Sequence, residues 1–180
     1  MSLALHGHHI LLIATLAFTT AVLTLNWYEN SEKSIHINVF QICSNSSTLK
    51  TCRWIFSIQS VKSSFEEIKI ISLILTASFA ITCVGISLIG LLLGSWYIQR
   101  RGHDNESRCL IVLTMLMNLL SFLFSCGVWT MMLTTNLQQE SFGTTDIRLK
   151  DFGFSFWINI GSSVLYLYAL IIYLIAICKN

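Results

Sequence analysis

The fold is decided by residues 26–53, NWYENSEKSIHINVFQICSNSSTLKTCR, the longest polar interruption in an otherwise lipid-soluble chain. Within it, residues 34–39 alternate polar and apolar side chains, which predicts a half-buried β-strand in place of a helix. Cys43 has the parity of Ile35, Ile37 and Val39, and Cys52 has that of Trp54, Phe56 and Ile58. Each cysteine is therefore expected on the apolar face of its strand, and a bridge between them would staple a small sheet. Closing the short loop 44–51 would stabilise the fold by roughly 2 to 4 kcal/mol on a chain-entropy argument. A few strands outside a membrane cannot bury a large core, so such a staple has a physical purpose.

Outside that stretch the composition is that of a membrane protein. The 180 residues are 54% hydrophobic and 11% charged, with no proline, and the mean hydropathy is +0.68. These values exclude a soluble domain. The net charge of +2 is too small for nucleic-acid binding by bulk electrostatics. Four apolar runs, about 5–25, 70–97, 109–134 and 154–178, are long enough to cross a bilayer, which takes about 20 helical residues. None contains Asp, Glu, Lys or Arg. The first has histidines where a signal peptide has Lys or Arg, and its apolar run is too long for one, so it is expected to be a retained helix.

Orientation follows from basic residues close to the membrane. Arg100, Arg101 and Arg108 crowd the link between the second and third runs, and Lys179 follows the fourth; this side is expected in the cytoplasm, with both termini. The outer segments, about 26–69 and 135–151, together hold seven basic and seven acidic residues. The Cys43 and Cys52 pair prefers the same outer side, where disulfides form. Trp27, Trp129 and Trp157 at outer ends and Trp96 at an inner end are expected in an aromatic belt. Trp54 is left for the outer sheet.

Smaller signals lie within the runs. Gly90 and Gly94 have the GxxxG spacing that lets helices approach closely, either inside the bundle or across a homodimer face. Asn118 is the clearest buried polar residue and is expected to bond a neighbouring helix. No ionisable residue is placed to relay protons or carry an ion through the membrane, so an enzyme or a self-contained transporter is not expected. No cofactor is expected either. His6, His8 and His9 lie on an N-terminus expected to be mobile, with no Cys or carboxylate partner for a metal. Cys109 and Cys178, at the cytoplasmic boundary, are candidates for palmitoylation or remain free thiols. Asn45-Ser46-Ser47 is an outer glycosylation sequon inside a tight ring, while Asn105-Glu106-Ser107 faces the cytoplasm and is expected to be unmodified.

Four spans, a large first outer loop and the order Trp27, Asn38-Val39-Phe40-Gln41-Ile42-Cys43, Cys52-Arg53 resemble the claudin superfamily. That group holds the claudins, the peripheral myelin and epithelial membrane proteins, the lens fibre membrane protein and the calcium-channel γ subunits. The claudin pattern has Gly-Leu-Trp where Asn38-Val39-Phe40 stands. The run Phe152-Gly153-Phe154-Ser155-Phe156-Trp157 looks like the start of helix four in the myelin, epithelial and γ-subunit branches.

The resemblance implies an all-α membrane protein, one domain over 1–180. Its fold would be a left-handed four-helix bundle with a small disulfide-stapled extracellular β-sheet. It also implies that Trp27 packs under that sheet near the bridge, with Phe40 and Arg53 as structural members of the motif. The expected function is a non-enzymatic interaction protein of the plasma membrane. It would act at cell contacts, or organise membrane proteins in the same or a facing membrane, a second copy included. The alternative is an auxiliary, γ-like subunit that alters trafficking or gating of a channel or receptor. Membrane lipids are the other expected partner. The terminal Cys178-Lys179-Asn180 lacks a PDZ ligand, so scaffold recruitment by that route is not expected.

Overall fold

The computed structural model describes residues 3–24, 27–30, 35–46, 49–57, 64–100, 106–140 and 152–178. Four helices, α1 (Leu3–Leu23), α2 (Ser64–Gln99), α3 (Glu106–Glu140) and α4 (Phe154–Cys178), carry between α1 and α2 a sheet of four short strands. These are β1 (Tyr28–Asn30), β2 (Ile35–Ile37), β3 (Gln41–Ser46) and β4 (Leu49–Trp54), followed by a 3-10 turn, Ile55–Ser57. Asn105, Lys62, Arg101, Lys179 and residues 141–151 lie outside the described residues.

All four helices are long and apolar enough to cross a membrane, over Leu3–Leu23, Ile71–Gln99, Arg108–Thr135 and Phe154–Cys178. Two of them run beyond the apolar windows. α2 begins at Ser64, where the sequence Ser64-Phe65-Glu66-Glu67 has the spacing of a helix start. α3 continues to Glu140 through Leu137, Gln138 and Gln139, all good helix formers. Hydropathy marks where lipid ends; helix propensity carries the backbone further.

The buried positions recur with a heptad's alternation of three and four. In α2 they are Leu73, Thr76, Ala80, Cys83, Ser87, Gly90, Gly94 and Tyr97. In α3 they are Ile111, Thr114, Asn118, Ser121, Ser125, Val128, Met132 and Thr135. A strict 3.5-residue repeat on a 3.6-residue helix imposes a left-handed supercoil. α1 and α4 carry the same spacing, through Ala4, Gly7, Leu11, Ala14, Phe18 and Ala21, and through Asn159, Ser162, Tyr166, Ala169, Tyr173 and Ala176. The helices pack in chain order around a ring, α2 closely on α3 and α1 closely on α4.

The bundle is inverted relative to a soluble one. Its seam is rich in small and hydroxyl residues, while Ile13, Leu16, Leu92, Leu123 and Val164 face outward. Lipid is as apolar as leucine, so close backbone approach and hydrogen bonds hold such helices together. The seam hydroxyls are satisfied locally: Thr15 Oγ1 donates to Leu11 O, Thr114 Oγ1 to Leu110 O, both at 2.8 Å, and Ser121 Oγ to Met117 O at 3.0 Å. In α3 and α4, Ser125 Oγ donates to Asn159 Oδ1 at 3.0 Å and lies 2.7 Å from Ser163 Oγ. Asn118 Nδ2 donates across to Tyr166 O at 3.2 Å.

The N-terminal histidines are not on a mobile tail. α1 starts at Leu3, so His6, His8 and His9 are helical, and His8 Nε2 lies 3.2 Å from Ser95 Oγ of α2. Leu3, Ala4 and Leu5 are strong helix formers and extend the span upstream of the histidines.

Candidate functional site: the stapled outer sheet

The sheet is a meander, β1-β2-β3-β4, antiparallel throughout. The reversal between β2 and β3 is the segment Asn38-Val39-Phe40. Asn38 Oδ1 accepts from Phe40 N at 2.7 Å, and Asn38 N donates to Gln41 O at 2.9 Å. This is the side-chain-closed turn that asparagine favours. The turn is not a solvent tip: Val39 is 0% and Asn38 7% exposed. Phe40 is half-buried, and its carbonyl accepts from Ile55 N at 2.9 Å, holding the exit of β4 against the turn.

This reversal overturns the expected placement of the bridge. Alternation runs only within one strand, and the turn shifts the parity of β3 relative to β2. Ile37 stands opposite Ile42, while Cys43 stands opposite His36 and Cys52. Directly opposed residues share a face. Tyr28, Ile37 and Ile42, with Arg53 opposite Ile42, thus share one face, buried at Tyr28 and Ile37; Glu29, His36, Cys43, Cys52, Gln41 and Trp54 share the other. The Cys43–Cys52 disulfide joins directly paired residues, Cα to Cα 4.1 Å, on the face away from Tyr28 and Ile37. On that same face His36 Nδ1 is 3.8 Å from Glu29 Oε2, an exposed pair of small energetic weight.

β3 and β4 continue beyond the bridge as a hairpin, with Asn45 paired to Lys50 and Ser46 to Leu49. The sequon asparagine is therefore a ladder residue near the tip. Arg53 pairs with Ile42 and is exposed. Trp54 and Phe56 are 56% and 55% exposed, on either side of Ile55 at 0%.

Trp27 joins the sheet to the bundle and is not a lipid-facing belt residue, being 1% exposed. Its Nε1 donates to Ala21 O at 2.7 Å, a carbonyl in the last turn of α1 that also accepts from Thr24 Oγ1 at 3.1 Å. Its own carbonyl accepts from Gly153 N at 3.0 Å. Tyr28 bridges Phe152 in an isolated β-pair, with ring centroids 5.5 Å apart. Thr24 Oγ1 is 2.6 Å from Ser155 Oγ. Trp157 and Trp96 are 47% and 48% exposed, the latter under Arg100 at 4.9 Å, and these two occupy the belt positions.

Gly90 and Gly94 both face the interior. A methyl on Gly90 would lie 3.3 Å from Met117 Cβ and 3.8 Å from Leu11 Cδ2, and one on Gly94 would meet His8, Tyr173 and Thr114. The close approach that GxxxG permits is used between helices of one chain. Cys109 and Cys178 are exposed, Cys83 is buried. Among the described residues no group of three or more His, Cys, Asp or Glu could hold a metal ion. Asn159, 0% exposed and tied to Ser125, is a polar seam residue that Asn118 alone does not foretell; its 3.5-residue spacing with Ser155, Ser162 and Tyr166 carries the signal.

A family model described as "Tight junction protein, Claudin-like" matches residues 1–178. Comparison with curated proteins gives no match. The claudin-like family is typically non-enzymatic, and the four candidate spans make this chain a multi-pass membrane protein. The motif of residues 27–53, the four-helix bundle and the family match coincide over nearly the whole chain, which therefore belongs to the claudin-like tight junction protein family.

Proposed function

We propose that the chain works as one four-helix domain over residues 1–180 of the plasma membrane, both termini cytoplasmic, and binds other membrane proteins through its outer sheet at cell contacts. It performs no enzymatic chemistry in this reading. The observation that carries it is the exposed aromatic pair at the end of β4. Trp54 and Phe56 stand more than half exposed, on a segment held by the disulfide on one side and by the Ile55 to Phe40 hydrogen bond on the other. Large aromatics that lose little entropy on binding are the usual anchors of protein interfaces. Cys109 and Cys178, exposed at the inner ends of α3 and α4, are where acyl chains would add.

The test is a two-cell assay. Tagged chain expressed in both of two touching cells should concentrate at the shared border, and Trp54→Ser with Phe56→Ser should spread it uniformly while surface delivery persists. Uniform distribution of the parent chain would refute contact binding. A second reading is an auxiliary subunit: the Phe152 to Trp157 run, which resembles the myelin, epithelial and γ-subunit branches alike, is built into the cap through Gly153 N and Trp27 O. Under it, purification in mild detergent would retain a channel or receptor subunit in fixed ratio.

A further inference from the structure

At the end of the bundle away from the sheet, two arginines stand at one depth on neighbouring helices, an arrangement that the proposed function leaves unused. α2 and α3 run antiparallel, and two close approaches fix their register. A methyl on Gly90 would lie 3.3 Å from Met117 Cβ, and one on Gly94 would lie 3.4 Å from Thr114 Cγ2. Arg100 follows Gly94 by the same number of residues as Arg108 precedes Thr114. With an equal rise per residue on both helices, the two arginines reach the same level. That level is the edge of the apolar spans, since one span ends at Gln99 and the other opens at Arg108. Both arginines are exposed.

Each arginine ends a lipid-facing line of residues at i, i+4 spacing. On α2 the line is Leu92, Trp96 and Arg100; on α3 it is Leu116, Val112 and Arg108, and the apolar members of both are exposed. The Arg100 guanidinium lies over the Trp96 ring, 4.9 Å from its centroid, which keeps the charge at the depth of an interfacial tryptophan. Stacking uses the face of the guanidinium and leaves its edge, whose flat fork of N–H groups matches two oxygens of a phosphate. Both arginines also interact elsewhere in the chain, and five donors serve more than one acceptor.

Charge selects the headgroup. The outer segments balance seven basic residues against seven acidic ones, whereas Arg100, Arg101, Arg108 and Lys179 stand against only Asp104 and Glu106, so the whole formal net charge of +2 belongs to the inner segments. Among the described residues, the large side chains exposed at the outer ends of the spans, Leu23, Ile71, Phe154 and Trp157, are uncharged. A zwitterionic headgroup brings its own cation beside the phosphate; an anionic one complements the basic excess. The apolar line beneath each arginine fits an acyl chain, which a soluble anion lacks. We propose that the inner ends of α2 and α3 bind anionic phospholipids in preference to zwitterionic ones, each arginine taking a headgroup phosphate while an acyl chain lies along the line beneath it.

The full-length chain in phosphatidylcholine nanodiscs tests this. The discs carry a small, equal fraction of either phosphatidylserine or phosphatidylcholine brominated near the top of one acyl chain, because bromine quenches a tryptophan that it touches. Quenching of Trp96 is read as the difference between the parent chain and Trp96→Phe. That of Trp157, at the other end of the bundle, is the difference between the parent and Trp157→Phe. Brominated phosphatidylserine should quench Trp96 about twofold or more above brominated phosphatidylcholine, and the two lipids should quench Trp157 alike. Arg100→Gln with Arg108→Gln should bring the ratio at Trp96 down to that at Trp157. Equal quenching of Trp96 by the two lipids in the parent chain would overturn the proposal, and that comparison holds even if the arginine variant does not fold. So would a preference of the same size at Trp157, or one at Trp96 that survives loss of both arginines.

Discussion

Replacing Trp27 separates a structural anchor from a membrane-belt tryptophan. The indole is 1% exposed and donates to Ala21 O at 2.7 Å. Trp27→Phe keeps most of the ring but loses this bond. The carbonyl is not orphaned, because Thr24 Oγ1 also donates to it at 3.1 Å. The expected loss is then the net value of one hydrogen bond, about 1 kcal/mol. Trp27→Ala removes the whole buried ring beneath the cap and should cost about 3 to 5 kcal/mol. Trp157, 47% exposed, is the control, and Trp157→Ala should cost less than about 1 kcal/mol. Equilibrium unfolding in mixed micelles, followed by circular dichroism, gives the three differences on one scale. Equal losses for Trp27→Ala and Trp157→Ala, or a Trp27→Ala loss under about 1 kcal/mol, would refute the anchor role.

Three further outcomes rest on the same geometry. Gly90→Ala places a methyl 3.3 Å from Met117 Cβ, an atom that cannot swing away, whereas nothing lies within 4 Å of a methyl on Gly85. The first should destabilise by about 1 kcal/mol and the second stabilise by up to about 1 kcal/mol, opposite signs in one unfolding assay. Cys43→Ser with Cys52→Ser opens a ring of sequence separation 9 and should cost about 2.6 kcal/mol on the chain-entropy relation; reductant should lower the parent's midpoint and leave the variant's unchanged. Glycosylation at Asn45 predicts an electrophoretic shift on enzymatic deglycosylation that Asn45→Gln abolishes, while a shift that persists and is lost in Asn105→Gln would reverse the membrane orientation.

Some of the fold could be read from local composition. The apolar runs and the four spans agree to within one or two residues at most ends, because partition into lipid depends on a window of neighbouring side chains and on little else. The helix ends at Ser64 and Glu140 escaped the hydropathy reading, since helix propensity does not depend on hydropathy and the helices run on past the apolar windows. The 3.5-residue seam was present in the sequence as small and hydroxyl residues at regular spacing. It is faint because the outward face is equally apolar, so the contrast that marks a soluble amphipathic helix is missing.

The outer site was legible in its parts but not in its arrangement. The cysteine pair and the strand signals identify a stapled sheet, yet the side of that sheet which holds the bridge depends on where the chain reverses. Asn38 closes that reversal with its own side chain, so Cys43 faces His36 instead of joining Ile37. Likewise Trp27 has the same sequence context as a belt tryptophan. The segment that holds it is distant in sequence: Gly153 N bonds Trp27 O and Phe152 bridges Tyr28, from more than a hundred positions away in the chain.

By itself, then, the sequence determined that this is a four-span membrane protein with a disulfide-stapled segment between its first two spans, since hydropathy and cysteine spacing are properties of single stretches. Only the tertiary structure decided which face carries the bridge, that Trp27 is internal, and that His8, Gly94 and Tyr173 are neighbours. Those relations depend on which helices and strands become neighbours, and no single stretch encodes that.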